Sequence, residues 1–227
     1  RTTVVKRESG AWGISVEAPV QDLFKNSQPD LMGELPSTQV IAYTPKQIEM
    51  LAKAYDNDTA HRFKSNNDSL ISGLHPEFAT YVKAFIFKAK LDKNLYININ
   101  GPRGGFRSPI QQQQLLDEWY AGERLAKKPA SVGGSYHQTG MAIDFNPYFE
   151  NGGNLHSTNN SKQEWINSGI VAIAKSLSLR WGGDFASPGN PGYDPVHVDF
   201  GRIVSKQTFR RMLALSRSRN IEPTQIT

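Results

Sequence analysis

Hydrophobic and polar positions follow two different periods along this chain, and Pro, Ser and Thr mark where the longer one begins. Thr44-Pro45-Lys46-Gln47 supplies a helix N-cap, a proline at the first helical position and a glutamine placed for a capping box. Ile48, Leu51, Ala52 and Tyr55 follow at i, i+3, i+4 and i+7, which predicts an amphipathic helix. Pro76 opens a second helix with Phe78, Val82, Phe85 and Ala89 on one face. Ser108-Pro109-Ile110-Gln111 caps a third, running through Leu115, Leu116 and Trp119. Ser161-Lys162-Gln163-Glu164 opens a fourth, with Ile166, Ile170, Ile173 and Leu177 as its buried stripe. The shorter period, two, marks strands. Leu95–Asn100, Met141–Phe145 and Val196–Phe200 show it, and Trp12–Val16 is a short candidate within an otherwise aperiodic start.

Helices and strands that do not alternate regularly predict an α+β fold, an antiparallel sheet partly covered by helices. The chain divides into an N-terminal extension (residues 1–40, with Asn26–Asp30 as a loop), one domain (41–220) and a tail (221–227). No internal repeat is visible. Residues 146–162 are rich in Gly and Asn and read as a loop too long for a tight turn; such loops are often functional.

Composition narrows the class. At 227 residues, the chain can build one sizeable core but not several domains. Hydrophobic residues at 38% and charged residues at 21% exclude collagen-like, coiled-coil and wholly disordered chains. No apolar run approaches the ~20 residues of a membrane helix. Cysteine is absent, which removes disulfide scaffolds, Cys-type zinc fingers, iron–sulfur clusters and cysteine nucleophiles. Any metal site must therefore use His, Asp and Glu, and there are five histidines: His61, His75, His137, His156 and His197. The chain starts at Arg1 without an initiator Met or an apolar leader core, so a leader was removed or the chain is part of something longer.

Net charge is +5, and Arg202, Lys206, Arg210, Arg211, Arg217 and Arg219 face only Glu222 after residue 200. A basic end suits a polyanion such as nucleic acid, a membrane surface or an anionic cell wall; a plain solvated helix face reads the same way. No nucleic-acid motif accompanies the charge. As a helix, this end would bring Lys206, Arg210 and Arg217 to about one face.

Two segments carry the candidate chemistry. In Met141–Phe145, Ile143 and Phe145 would face the core and leave Ala142 and Asp144 on the other side. The small Gly140 and Ala142 allow the preceding His137 to turn back toward Asp144. In Val196–Phe200, Val198 and Phe200 face one way, His197 and Asp199 the other. His137, Asp144 and His197 would then form a three-ligand zinc site with its fourth position open, the mark of a catalytic rather than a structural zinc. Taken singly, each histidine also fits a hydrogen-bonded structural or surface residue.

These residues resemble a known family, the zinc D,D-carboxypeptidases and L-alanyl-D-glutamate endopeptidases that cut peptidoglycan stem peptides. Ser135 to Asp144 matches its Ser-x-His-x-x-Gly-x-Ala-x-Asp motif at every fixed position. Asp194-Pro195-Val196-His197 matches its second motif, an acid two residues before a strand His. Trp181-Gly182-Gly183-Asp184 is similar to a block of the phage-type endopeptidases. Gly105-Phe106-Arg107-Ser108-Pro109, followed by Gln114 and Leu115, matches an upstream block. The four blocks keep the family's order across about residues 75 to 202.

The resemblance implies a hedgehog/D-Ala-D-Ala peptidase-like fold, with Zn2+ on one face of the sheet held by His137, Asp144 and His197. It implies Asp194 as general base, held extended by Pro195, Arg107 as the oxyanion donor, and Ser135 as a neighbour of ligands or substrate. Asp184 reads as a structural acid, and Asp199 receives no role. Asp rather than Glu at position 194 tilts toward the endopeptidase branch, with a D-alanyl-D-alanine carboxypeptidase and a non-catalytic, zinc-holding wall-binding or virion module as alternatives. The implied partner is a peptidoglycan stem peptide, with the basic C-terminal helix toward an anionic cell wall. The place of action is that wall, whether reached by export, in the periplasm or by phage delivery.

Overall fold

The computed structural model describes residues 2–6, 12–16, 42–123, 128–156, 160–190, 192–201 and 206–219. Two units divide the chain, Arg1–Val40 and Ile41–Thr227. In the first, β1 (Thr2–Lys6) pairs antiparallel with β2 (Trp12–Val16), with Lys6 opposite Trp12. β2 is the strand expected there; β1 is an addition. The expected loop at Asn26–Asp30 and tail at 221–227 lie outside the described residues.

In the second unit, local capping sets where helices begin. α1 (Pro45–Asn57) starts on a closed capping box: the Thr44 hydroxyl accepts the Gln47 N–H at 3.4 Å, and the Gln47 side chain accepts the Thr44 N–H at 2.9 Å. α2 (Lys64–Ile71) was not foreseen; Phe63 at its N-cap offers no capping side chain. α3 (Pro76–Lys93) buries Phe78, Val82, Phe85 and Ala89 as expected and ends on Asn94 in the left-handed region, φ 52°. α4 (Pro109–Tyr120) starts on a Ser108–Gln111 capping box.

The expected fourth helix is two. α5 (Lys162–Asn167) and α6 (Ile170–Ser176) are separated by Gly169 at φ 82°. That break resets the helical phase, so Trp165 is buried while Ile166 is 43% exposed; Ile170, Ile173 and Leu177 stay inside. α7 (Lys206–Arg219) buries Phe209 and Leu213 and exposes Arg210 and Arg211. The side chains of Lys206 and Arg217 lie outside the described residues. Among the described residues no helix is long and apolar enough to cross a membrane.

The sheet is antiparallel throughout, in the order β3 (Leu95–Ile99), β4 (Ala142–Phe149), β6 (His197–Asp199), β5 (Arg180–Trp181). The fold is α+β. β4 runs on past Phe145, pairing Tyr148 with Tyr96, so the start of the expected Asn146–Lys162 loop is strand. One face of the sheet meets α3 and α5: the Phe145 ring lies 5.1 Å from Phe85 and 6.1 Å from Trp165. Ile97, Ile99, Ile143 and Val198 are fully excluded from water there, each contributing about 1.5–3 kcal/mol. α1 packs on α3. At the open edge of β3, buried Asn67 of α2 acts as a missing strand: its amide donates to the Ile97 carbonyl at 2.9 Å and accepts the Ile99 N–H at 3.0 Å. This core packs against one face of β4 and β6, and their other face carries polar residues, among them Asp144, His197 and Asp199.

Candidate metal centre

Strand register assembles the centre. β4 and β6 pair so that Asp144 stands directly opposite His197, and directly opposed residues share a face with Cβ atoms about 4.5–5.5 Å apart. Asp144 Oδ1 lies 3.0 Å from His197 Nδ1. His137 comes from the 3-10 turn Tyr136–Thr139, which Gly140 ends at φ 67°, a conformation that favours glycine. The turn brings His137 Nε2 to 3.3 Å from Asp144 Oδ1 and 3.3 Å from His197 Nδ1.

These separations fit a metal. Ligand atoms 2.0–2.1 Å from a tetrahedral zinc lie roughly 3.3 Å apart, and the three edges here are 3.3, 3.3 and 3.0 Å. The far ring nitrogens are already bonded. His137 Nδ1 lies 2.7 Å from the Gly105 carbonyl, so it carries the proton and donates. His197 Nε2 lies 3.0 Å from Asp199 Oδ2 and donates likewise. Both remaining lone pairs face Asp144 Oδ1. Among the described residues this is the one cluster of three His, Asp or Glu side chains that could hold a metal ion.

The charges fit too. Burial alone would raise the Asp144 carboxyl, but His137, His197 and Arg107 hold it well below the usual carboxylate range. Burial pushes the His137 imidazole down to about 4, against the pull of Asp144. Burial also opposes charge on His197, yet its hydrogen bonds to Asp144 and Asp199 raise it above the ordinary value.

Arg107 joins the centre from the Gly105–Pro109 block. Its N–H bonds the His137 carbonyl at 3.1 Å, and Nη2 lies 3.4 Å from Asp144 Oδ2. The side chain is 11% exposed, and its Nε is buried without a partner. Gly104 allows the block's approach, since a Cβ there would stand 2.1 Å from the Asn100 carbonyl oxygen, while its own carbonyl accepts the Asp144 N–H at 2.7 Å.

Asp194 is half-buried and stands at the first position of a turn that continues through Pro195. The His197 N–H returns to the Asp194 carbonyl at 3.1 Å. Proline's fixed φ suits the second position of such a turn. The Trp-Gly-Gly-Asp block supports it from below. A Cβ on Gly182 would stand 2.3 Å from the Asp194 carbonyl oxygen and 2.8 Å from His197 Cβ. Trp181 Nε1 donates to the Pro195 carbonyl at 2.8 Å. Asp184 pairs instead with Lys175 at 2.8 Å and Lys162 at 3.3 Å. Ser135 is buried at the start of the 3-10 turn, and its carbonyl accepts the Gln138 N–H at 3.1 Å. Its hydroxyl bonds none of the three clustered side chains. His61, His75 and His156 stand outside the cluster.

One residue the sequence reading left without a role does contact the centre. Asp199 is 1% exposed, bonded to His197 and, through both oxygens, to Arg180. The available signal was its His-x-Asp spacing on a strand.

Residues 129–200 match a family model described as D-alanyl-D-alanine carboxypeptidase. Over this segment the chain is similar to that peptidase family. The match holds the 3-10 turn, β4, the Trp-Gly-Gly-Asp block and β6, and so all three clustered side chains; Arg107 lies before it. The chain is also 34% identical over 86 residues to the peptidoglycan L-alanyl-D-glutamate endopeptidase CwlK of Bacillus subtilis (strain 168), a stretch covering 36% of this chain and 50% of that protein. The chain thus spans about half the length of that curated relative.

Proposed function

We propose that the chain is a zinc peptidase that hydrolyses an amide bond in peptidoglycan stem peptides, of the L-alanyl-D-glutamate endopeptidase type. The observation that carries this reading is the convergence of His137 Nε2, Asp144 Oδ1 and His197 Nδ1 at the spacing of a tetrahedral zinc. Its endopeptidase character is supported by the printed activity of the Bacillus relative and by Asp at position 194. When bound, zinc supplies Lewis acidity toward a carbonyl oxygen and lowers the pKa of water to about 7.

The chain's own groups do the rest. The Gly105 carbonyl and Asp199 hold the two imidazoles with their lone pairs inward. Asp194, placed by its turn against Gly182, accepts a proton from the attacking water and passes it to the leaving amine. Arg107 stabilises the negative charge that develops on the scissile carbonyl oxygen; its near-complete burial strengthens that interaction. Ser135 lines the same turn as His137. Attraction of α7 to an anionic wall belongs to this reading through the exposed Arg210 and Arg211 alone.

The family description favours a second reading, a D-alanyl-D-alanine carboxypeptidase. Digestion of purified peptidoglycan followed by mass spectrometry separates the two. New N-terminal D-glutamate ends are expected; released D-alanine would replace the first reading with the second. No product, from a chain that still binds zinc, would leave a non-catalytic zinc-holding module.

A further inference from the structure

We propose that Asp199, anchored by Arg180, is a positioning residue that fixes the tautomer and ring direction of His197. The inference rests on the zinc reading of the same centre. β5 and β6 pair with Arg180 opposite Asp199, so the guanidinium, the carboxylate and the imidazole lie on one face. Asp199 is 1% exposed, and four donors reach its two oxygens. Oδ1 accepts Arg180 Nε at 2.9 Å and the Gly201 N–H at 2.8 Å. Oδ2 accepts Arg180 Nη2 at 2.7 Å and His197 Nε2 at 3.0 Å. A carboxylate so bound cannot turn away from the ring.

Arg180 is itself held. Its guanidinium carbon sits 5.0 Å from the Tyr136 ring centre and 4.7 Å from that of Phe185. Tyr136 stacks on Phe209 of α7 at 3.9 Å and 22°, and Phe185 lies 5.5 Å from the His197 ring. A Cβ on Gly201 would stand 2.6 Å from Arg180 Cζ, so glycine leaves the guanidinium room to lie flat across the chain.

The consequence follows from imidazole chemistry. A neutral ring has one N–H; with it on Nε2 and bonded to Asp199, the lone pair stays on Nδ1, toward His137 and Asp144. Without the carboxylate the ring can turn or place its proton on Nδ1, and that proton competes with the metal.

The test uses the full-length Asp199→Asn variant, with zinc affinity measured by chelator competition and the His197 tautomer by nitrogen-15 NMR of the zinc-free protein in alkaline buffer. The carboxamide keeps the volume but can turn its NH2 to the ring. Zinc affinity is expected to fall roughly 10–100-fold, the usual effect of losing such a partner, and the Nδ1–H tautomer to gain. Arg180→Gln should shift both in the same direction by less, and Asp184→Asn should shift neither. A folded Asp199→Asn with unchanged affinity and an Nε2–H ring overturns the proposal. If that variant does not fold, unchanged affinity and tautomer in Arg180→Gln overturn it. Failure of the unaltered chain to bind zinc would refute the zinc reading instead, and the tautomer measurement would still decide the role of Asp199.

Discussion

At the scale of single residues, the centre depends on side chains that bind nothing as much as on those that do. Gly182 lies between the turn of Asp194 and the base of His197, and a methyl there collides with backbone. Gly182→Ala should therefore weaken zinc binding and hydrolysis together, whereas Asp194→Ala should separate them. We expect Asp194→Ala to fold and hold zinc almost normally while losing hydrolysis roughly 10²–10⁴-fold, the usual worth of acid–base help. Loss of zinc in that variant would make Asp194 a ligand; near-normal turnover would place the base elsewhere. Arg107→Ala should keep its metal and lose about 10²–10³ in turnover, as expected for one missing oxyanion donor. Its hydrogen bond to the centre is a long 3.4 Å contact with the outer oxygen of Asp144. A metal-free or unfolded Arg107→Ala protein would show that this contact holds the site together.

At the scale of elements, the sheet depends on an edge that is closed by a side chain rather than a strand. Asn67→Ala leaves the Ile97 carbonyl and Ile99 N–H without their buried partner. It should cost roughly 2–6 kcal/mol at about 1–3 kcal/mol for each of these two buried unsatisfied groups, read by urea unfolding; an unchanged midpoint would mean that another group takes its place. The sequence shows why some elements were legible and others not. Thr44, Ser108 and Ser161 announce their helices because capping is local, as the observed bonds to Gln47, Gln111 and Glu164 confirm. α2 lacks such a cap, and its key residue, Asn67, faces a strand about thirty positions away. Gly169 between two apolar stretches could be read as a tolerated helical glycine, but its positive φ breaks the helix and turns Ile166 outward. In β4 and β6 the two-residue period was enough to put Asp144 and His197 on the same face. Asp199 obeyed that period too. Its meaning depended on Arg180 arriving from another strand, which no local spacing reveals.

At the scale of the whole molecule, stability and the metal centre lead to different measurements. His61 is 4% exposed, ringed by Tyr55, Phe63 and Tyr96, and its Nδ1 accepts the Phe63 N–H at 3.2 Å. Burial pushes its imidazole down to about 4, whereas in the unfolded chain it titrates near 6.5. Between those values the unfolded state binds more protons, so the contribution of His61 is complete above about pH 6.5 and is lost as pH falls toward 4, roughly 3 kcal/mol in all. His61→Asn, whose Oδ1 can still accept the Phe63 N–H, should flatten that acid slope in urea unfolding; an unchanged slope would assign it to other groups. The central claim is the metal. Elemental analysis of the purified chain tests it most directly, alongside His197→Ala and His156→Ala. One zinc per chain is predicted for the unaltered protein and for His156→Ala, whose changed residue lies outside the cluster. Most of the zinc should be gone from His197→Ala, and full occupancy there would contradict the account.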